Sequence, residues 1–258
     1  MNNPVPIPAF TDNYFWCLDD PQGRLIVVDP GDAASVLDYV QSQQKQLGTI
    51  LITHEHDDHC GGLAELVHRH PHVRILAHAH TPLGIPYQPV EHGMELNIGD
   101  LLVRIIATPG HTQRHICYFF SEPEILFCGD ALFSAGCGRL FEGNARDLLL
   151  SMQRLRALPE ATRIYCAHEY TLTNLAFVQS IWPNNPFLHD FTQFMTKRLH
   201  EEQCTLPSTI CDEKRINPFF NWDNPDLIRQ VQARSSHKSR HAEDVLYEIR
   251  QWRNTFKP

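Results

Sequence analysis

Four candidate metal ligands occur within six residues, directly after an apolar run that predicts a β-strand over residues 49–53. The motif has the pattern His-x-His-x-Asp-His and comprises His54, His56, Asp58 and His59. In a loop, alternate side chains can turn to one side, so the first two histidines can chelate one ion while the aspartate and the third histidine face a neighbouring position. Imidazole nitrogen and carboxylate oxygen suit zinc, iron, manganese or nickel better than calcium or magnesium. The motif therefore predicts a metal site, although an acidic, His-rich loop can also be ordinary solvated surface.

Three more candidate ligands each follow a predicted strand later in the chain. They are His111, Asp130 and His168, and the preceding runs cover residues 101–107, 124–128 and 163–167. Strand ends are where α/β folds gather their active sites. Either outlying histidine alone can be an ordinary hydrogen-bonded residue, but the joint occurrence favours two ions that share a carboxylate. The predicted arrangement is a first metal held by His54, His56 and His111, and a second held by Asp58, His59 and His168, with Asp130 bridging.

Short β-rich runs alternate with helical patterns through the first two-thirds of the 258 residues. This alternation predicts an α/β fold in which helices cover the faces of the sheets. After about residue 171 the strand signals stop, and helices are expected near residues 171–180, 188–203, 226–233 and 242–255. We therefore expect a metal-binding domain over residues 1–170 and a C-terminal helical subdomain over residues 171–258.

Composition argues against several classes of protein. The formal net charge of −8 disfavours non-specific nucleic-acid binding, and no apolar run approaches the roughly 20 residues of a membrane-spanning helix. The N-terminal residues lack a basic segment and contain three prolines, so no signal peptide is expected. The eight cysteines include no Cys-x-x-Cys pair, which fits free thiols in a reducing cytoplasm. We expect a cytoplasmic protein, and nothing in the sequence demands more than a monomer.

Taken in chain order, the seven candidate ligands His54, His56, Asp58, His59, His111, Asp130 and His168 resemble the metal-binding motif of the metallo-β-lactamase superfamily. This resemblance implies a four-layer αβ/βα sandwich. Two later stretches and the helical tail resemble the hydroxyacylglutathione hydrolase (glyoxalase II) family over essentially the whole chain. The stretches are Gly136-Cys137-Gly138-Arg139-Leu140-Phe141-Glu142-Gly143 and Ala167-His168-Glu169-Tyr170-Thr171. The superfamily motif is specific for fold and metal, whereas the later stretches carry the substrate prediction.

The resemblance also implies a glutathione-binding site. It places Arg139 in a substrate loop, Tyr170 near the peptide, and Arg250 and Arg253 at the mouth of the site. These two arginines lie three residues apart and so share a helix face; without the resemblance, a solvated basic face is the favoured interpretation. Where relatives can place a tyrosine, this chain has Phe141, which lacks a hydroxyl contact to the peptide.

The chemistry implied is thioester hydrolysis by a hydroxide bound to two divalent ions, with zinc favoured and iron or manganese as alternatives. Asp58 would orient that hydroxide, and the leaving thiol, with a pKa of about 8.5, departs without a strong general acid. Asp29 can hold a ligand histidine in its metal-binding tautomer or simply initiate a turn, and the two interpretations weigh equally. The expected reaction converts S-D-lactoylglutathione and water to glutathione and D-lactate, in methylglyoxal detoxification. The only partner expected is this small-molecule thioester, with no nucleic acid and no membrane.

Four other kinds of protein are also compatible with the sequence. A glutathione persulfide dioxygenase would use one iron, and it should lack the long helical tail after residue 170. A β-lactamase or lactonase on the same sandwich would not need an arginine-bearing tail. A nuclease of the same superfamily would use two metals on a phosphodiester, and the net charge of −8 and the lack of a basic insertion count against it. A binding module without catalysis is disfavoured by the complete set of candidate ligands.

Overall fold

A computed structural model describes residues 3–202, 204–235 and 241–257. The chain forms two compact units that interleave along the sequence. The first comprises Met1–Ala107, Arg114–Asp130 and Tyr165–His168, and the second comprises Thr108–Gln113, Ala131–Ile164 and Glu169–Pro258. A single boundary at residue 170 does not describe this interleaving, and the predicted domain boundary stays a prediction.

The first unit contains a six-stranded mixed sheet whose strands follow one another in chain order. Its strands are β1 (Val5–Ala9), β2 (Asn13–Asp19), β3 (Leu25–Val28), β4 (Leu47–Leu51), β5 (Arg74–His78) and β6 (Gln88–Val90). The first three strands pair antiparallel and β3 to β6 pair parallel. Parallel strands are covered on both faces, and accordingly every residue of β3 is buried.

Helices of the first unit pack on this sheet, and the His-rich motif lies where the internal strand β4 ends. They are α1 (Ala33–Gln43), α2 (Asp57–Cys60) and α3 (Leu63–Arg69). Helix α1 begins where the Asp32 carboxylate accepts a hydrogen bond from the amide of Ser35 at 2.8 Å, which satisfies one of the free N–H groups of the first turn. Val36 and Val40 of α1 then join the core formed with β3 and β4. The short helix α2 follows β4 after a five-residue connection, so the motif lies at the carboxyl end of a parallel strand.

A second sheet in the first unit is built on antiparallel strands. These are β7 (Glu95–Ile98), β8 (Leu101–Ala107), β9 (Ile116–Phe120) and β10 (Ile125–Gly129). Tyr118 of β9 joins the two sheets, because its hydroxyl lies 2.9 Å from the carbonyl oxygens of Ile52 and Leu76 in the first sheet region. Burial raises the pKa of Tyr118 well above its ordinary value, so this hydroxyl stays a hydrogen-bond donor. The contact fixes the chain two residues before His54.

The second unit contains the hairpin of β11 (Leu132–Phe133) and β12 (Gly136–Cys137). The first half of β13 (Arg163–Cys166) also lies in this unit and pairs antiparallel with β14 (Ser208–Thr209). The second half of β13 lies in the first unit, where the ring of Tyr165 packs 4.8 Å from that of Trp16.

Helices make up most of the second unit. They are α4 (Ala145–Arg156), α5 (Thr171–Ile181), α6 (Leu188–Glu202), α7 (Ile210–Ile216), α8 (Pro225–Arg234) and α9 (Ala242–Thr255). The helical tail predicted from periodicity is present, although Gln203 at the end of one predicted helix lies outside the described residues. Periodicity did not predict α7, which is only seven residues long. No helix within the described ranges is both long and apolar enough to cross a membrane.

Replacing Tyr118 with phenylalanine removes the hydroxyl that joins the two sheets and withdraws a donor from buried carbonyls. We expect Tyr118→Phe to lower the free energy of unfolding by about 1–2 kcal/mol. Urea denaturation followed by circular dichroism measures this loss. Tyr247→Phe on α9 is the matched control, because Tyr247 is 51% exposed and should change stability little. Equal effects of the two substitutions would contradict the role given to Tyr118.

Candidate metal centre and active site

The candidate ligands of the first unit lie just beyond the ends of three strands. His54 and His56 follow β4, Asp130 follows β10, and His168 follows β13. Two glycines make this assembly possible. A side chain at Gly129 would collide with that of Thr53, and one at Gly31 would collide with the backbone of Asp58. The strand ends can therefore approach one another only because these positions lack a Cβ atom.

One group of donor atoms brings together Asp58, His59, His168 and Asp130. His59 Nε2 lies 3.5 Å from both Asp58 Oδ2 and Asp130 Oδ1. His168 Nε2 lies 3.5 Å from Asp58 Oδ2 and 3.4 Å from Asp130 Oδ1. Ligand atoms bound to one tetrahedral zinc at about 2.1 Å are separated by roughly 3.4 Å, so each of these four imidazole–carboxylate pairs has the spacing of two ligands on one ion. The ligand atoms of Asp58, His59 and His168 lie within 4.8 Å of one another.

The two histidines at the start of the motif also face each other. His54 Nε2 lies 3.0 Å from His56 Nδ1, and His54 is fully buried. The ligand atoms of His54, His59 and Asp130 form a second candidate group within 4.8 Å of one another. The ring of buried His115 stacks on His54 with a centroid distance of 4.9 Å, and its Nε2 accepts a hydrogen bond from the Asp130 amide at 3.2 Å. His115, whose role the sequence left ambiguous, thus supports two candidate ligands.

The buried carboxylate of Asp29 orients the imidazoles. Its Oδ1 accepts the amide hydrogen of Thr53 at 2.7 Å, and its Oδ2 accepts the Thr53 hydroxyl at 2.7 Å and His59 Nδ1–H at 3.1 Å. Because the Thr53 hydroxyl donates to Asp29, its oxygen accepts from His54 Nδ1 at 3.0 Å. Both rings then carry their hydrogen on Nδ1 and present the Nε2 lone pair, which is the metal-binding tautomer. The structure thereby supports the positioning interpretation of Asp29 over the simple turn.

Two further residues that the sequence reasoning missed lie at the start of strand β2, Asp12 directly before it and Asn13 as its first residue. Asp12 Oδ1 accepts a hydrogen bond from His168 Nδ1 at 2.8 Å, which leaves His168 Nε2 facing the cluster. Asn13 Nδ2 donates to Asp58 Oδ2 at 3.0 Å and so directs that carboxylate. The available signal was a polar run, Thr11-Asp12-Asn13, directly ahead of an apolar strand. The pairing of Asn13 with His168 as an isolated bridge brings that run to the site, and the sequence alone does not predict this pairing.

The electrostatics of the cluster favour a bound cation. Burial alone would lower the pKa of His59, but the charges of Asp130 and Asp29 raise it. Burial likewise opposes protonation of His168, but its hydrogen bonds to Asp130 and Asp58 raise its pKa to about 11. Burial would raise the pKa of Asp58, yet the hydrogen bond from His168 and the charge of His59 hold it well below its usual range. The raised pKa values of the imidazoles thus show that the cluster favours positive charge, which a bound metal ion would supply in place of the protons.

A buried atom at the centre of the cluster provides a direct test of the fit. His59 is fully buried, and within the described residues its Nε2 has no hydrogen-bond partner. Leaving such an atom unsatisfied costs about 1–3 kcal/mol, so a specific reason is required. A divalent ion bound by the lone pairs of Nε2 and of the surrounding carboxylates would supply that reason, and the ligand set of imidazoles and carboxylates suits zinc, iron or manganese.

His111 lies in the second unit, where its environment is also consistent with a ligand. It is 6% exposed, and its Nδ1 donates to the carbonyl oxygen of Arg139 at 2.9 Å, which leaves Nε2 as the acceptor nitrogen. The ring packs against Phe141, with the centroids 5.2 Å apart. Its assignment to the first metal stays a prediction, as do the ligand roles of the residues in the first unit.

The predicted substrate residues all lie in the second unit but differ in environment. The Arg139 guanidinium lies 5.8 Å from the ring centre of Phe141, whose side chain is 60% exposed. The ring of Tyr170 packs edge-on to Phe133 at 5.1 Å. Arg250 is only 5% exposed, and its Nη1 donates to the carbonyl of Cys137 at 2.7 Å, so its predicted role at the mouth of the site stays a prediction.

Arg253 is less confined. Its Nε and Nη2 both lie 3.1 Å from Asn174 Oδ1, and its pKa is lowered by burial and by the neighbouring Arg250. The side chain is partly buried, and a guanidinium has donors beyond those used by one amide oxygen. Asn174, which sequence reasoning missed, therefore directs this arginine.

Comparison with known protein families accounts for nearly the whole chain. A sequence model of the metallo-beta-lactamase superfamily matches residues 14–168. A model of the hydroxyacylglutathione hydrolase C-terminus matches residues 169–256. Curated relatives include hydroxyacylglutathione hydrolase 2 of Vibrio vulnificus (strain YJ016), 42% identical over 97% of this chain and 98% of the relative. Hydroxyacylglutathione hydrolase of Albidiferax ferrireducens is 43% identical over 98% of this chain and 99% of that protein.

Solved structures show the same fold. ETHE1 from Myxococcus xanthus aligns with a TM-score of 0.67 and 24% identity, over 99% of this chain and 92% of that one. The BLEG-1 B3 metallo-beta-lactamase aligns with a TM-score of 0.61 and 21% identity, over 84% of this chain and 98% of that one. At this identity the likeness establishes the fold alone.

These matches confirm the predicted fold class, an α/β metallo-β-lactamase sandwich with a C-terminal helical region, and they confirm that the chain is a hydrolytic enzyme. Because the two family models together cover residues 14–256 and the relatives align over nearly their full length, the chain belongs to the hydroxyacylglutathione hydrolase family of the metallo-β-lactamase superfamily.

Proposed function

We propose that this enzyme hydrolyses the thioester of S-(2-hydroxyacyl)glutathione, with S-D-lactoylglutathione as substrate and glutathione and D-lactate as products, in methylglyoxal detoxification. The observation that carries the proposal is the convergence of the donor atoms of His59, His168, Asp58 and Asp130 at 3.4–3.5 Å. The names of the curated relatives support glutathione thioesters as the substrate class.

We further propose that the site holds two divalent ions, with zinc favoured. Their ligands are His54, His56 and His111 for the first ion, Asp58, His59 and His168 for the second, and Asp130 between them. When bound, such ions lower the pKa of a water molecule and polarise a carbonyl oxygen. His59 Nε2 makes no hydrogen bond within the described residues and lies 3.5 Å from two carboxylate oxygens, and the pKa of His168 is raised; both observations support a cation at this position.

The protein side chains then determine orientation and protonation. Asp58 is held by Asn13 at 3.0 Å, and its lowered pKa keeps it ionised. It can therefore accept a hydrogen bond from the attacking water and direct the lone pair at the thioester carbonyl. Collapse of the tetrahedral adduct expels glutathione thiolate, whose pKa of about 8.5 makes a strong general acid unnecessary. Asp29 and Asp12 keep His59 and His168 in the tautomer that leaves Nε2 available.

Glutathione recognition is proposed for residues of the second unit. These are Arg139, Phe141, Tyr170, Arg250 and Arg253. Glutathione carries carboxylates, which the planar guanidinium group binds through two parallel hydrogen bonds. Phe141 contributes apolar contact only, since it has no hydroxyl. The eight cysteines are all free thiols, which supports a reducing cytoplasm as the location, and we propose a monomer.

The proposed reaction is tested by incubating the purified protein with S-D-lactoylglutathione and following loss of thioester absorbance together with release of thiol. We expect turnover that disappears after chelation and returns when zinc is added. The expected stoichiometry is one thiol per thioester without oxygen uptake, which separates hydrolysis from persulfide oxidation. Absence of turnover by protein that carries two ions per chain would refute the proposed function.

A matched pair of variants connects this activity to the cluster. Asp130→Ala should remove at least one ion per chain and lower kcat/KM by about three orders of magnitude, or ~4 kcal/mol. Asp57→Ala is the control, since Asp57 is an exposed aspartate of the same motif region that belongs to none of the donor groups within the described residues. Equal losses in both variants would argue that general charge, and not ligation, is responsible.

Asp29→Asn tests the orientation of the ligand imidazoles. Asn tolerates the left-handed backbone of this position, where φ is 53°. If its oxygen accepts from the Thr53 amide, its NH₂ faces His59 and favours the wrong tautomer. We expect about 10–100-fold weaker metal affinity, measured in chelator-buffered titrations. Asp32→Asn should leave affinity unchanged, because asparagine caps α1 equally well. Unchanged affinity in Asp29→Asn would refute the positioning role.

Arg253→Ala tests the substrate assignment of the last helix. Losing one charged contact to the ground state and the transition state alike should raise KM about tenfold and leave kcat within about twofold. Steady-state kinetics across a substrate series measures both constants. Arg229→Ala on α8 is the control, because Arg229 is a surface residue paired with Asp226 at 3.0 Å. An unchanged KM in Arg253→Ala would place the glutathione site elsewhere.

A further inference from the structure

The backbone of the segment of residues 133–139 in the second unit accepts several hydrogen bonds from side chains elsewhere in the chain. It comprises the β11–β12 hairpin turn and leads into Arg139. The donors are side chains on α5 and α9 and the side chain of Asn217, the residue that follows α7 in the same unit. The contacts are Asn217 to Phe133 and Gly136 at 3.2 and 3.0 Å, Asn174 to Ser134 at 3.0 Å, and Arg250 to Cys137 at 2.7 Å. The path of the segment therefore depends on the helical tail.

Ala135 has the conformation that most needs external support. Its φ is 57°, in the left-handed region that a residue with a Cβ rarely adopts. Its amide donates to Glu213 Oε2 at 2.8 Å, and the same oxygen accepts from Asn217 Nδ2 at 2.9 Å. One carboxyl group of α7 thus holds both the strained amide and the asparagine that binds the two flanking carbonyls.

Burying the carboxyl group of Glu213 beside Ala135 costs free energy. It is fully buried, and burial raises its pKa to about 7 despite hydrogen bonds that favour the ionised form. Those hydrogen bonds come from the side chains of Asn217, Ser208 and Ser134 and from the Ala135 amide. A position that only filled the core would favour an apolar side chain. A buried carboxyl group is instead explained by the need for a fixed acceptor at the Ala135 amide.

The segment ends at Arg139, which has a proposed role and contacts two other residues with proposed roles. Arg139, at the end of the segment, is a proposed glutathione contact, and its carbonyl accepts the Nδ1 hydrogen of His111 at 2.9 Å. The guanidinium of Arg139 lies over the ring of Phe141. A shift of the segment therefore moves one proposed substrate residue and the group that orients a proposed metal ligand.

We infer that Glu213 is a positioning residue for substrate recognition: through Ala135 and Asn217 it holds residues 133–139 in the path that presents Arg139 to the glutathione part of the substrate. The inference rests on the proposed function. It predicts that the carboxyl oxygen facing Ala135 matters, and that the negative charge does not, because glutamine offers an acceptor of the same shape.

The test compares Glu213→Gln, Glu213→Asp and Glu213→Ala in the metal-loaded, full-length enzyme. Calorimetry gives the Kd of glutathione, and kinetics give KM and kcat. We expect Glu213→Ala and Glu213→Asp, which remove or withdraw the acceptor, to raise Kd and KM about tenfold with kcat changed less than about threefold. Glu213→Gln should stay within about twofold of wild type, and so should Lys214→Ala, a control on the same helix whose side chain contacts Glu160.

Hydrogen exchange of the amides in residues 133–139 provides a readout that does not depend on activity. Faster exchange is expected in Glu213→Asp and Glu213→Ala but not in Glu213→Gln. If Glu213→Ala fails to fold, the Asp and Gln variants decide. Folded Asp or Ala variants with wild-type Kd, KM and exchange would overturn the inference. If wild type neither hydrolyses the thioester nor binds glutathione, the proposed function fails, and the exchange data alone decide whether Glu213 orders the segment.

Discussion

The carboxylate of Asp29 is the contact on which the candidate metal centre depends. It receives hydrogen bonds from the Thr53 amide and hydroxyl and from His59, so one buried group fixes the backbone and two ring orientations. A histidine can bind a metal through Nε2 only if its hydrogen is held on Nδ1. The ligand chemistry of the motif is therefore decided by a residue outside it, 30 positions away from His59 in the chain.

Charge balance in the first unit follows from the same packing. Several carboxylates are brought close to buried imidazoles, which raises the pKa values of His59 and His168 although burial opposes their protonation. Such a cluster is costly as a purely structural feature, since each charge loses hydration. A bound cation replaces the protons and stabilises the carboxylates together, which accounts for the arrangement as a functional site. In the second unit, the carboxyl group of Glu213 also loses hydration on burial. Its Oε2 accepts the amide hydrogen of Ala135, whose backbone is in the left-handed conformation.

Much of this organisation was accessible from the sequence, and the reasons are local. The His-x-His-x-Asp-His spacing indicates metal binding because its four candidate ligands lie within six residues of sequence. Apolar runs likewise predict the strands β4, β8 and β10 by their own composition. The helical tail was predicted by periodicity for the same reason. Helix α7 and the residues Asp12, Asn13 and Asn174 were missed, because a single polar side chain carries no periodic signal and its partner lies far away in the chain.

By itself, the sequence determined the class of fold, the candidate ligands and the family, since each of these is a pattern of residue types at short spacing. Only the tertiary structure decided which imidazole nitrogen faces the cluster, that Asp29 orients ligands, and that Arg250 donates to the backbone of residues 133–139. The physical reason is that hydrogen-bond partners are set by three-dimensional proximity. His168 meets Asp12 across 156 residues of chain, and Glu213 meets Ala135 across 78, separations at which no sequence pattern specifies a contact.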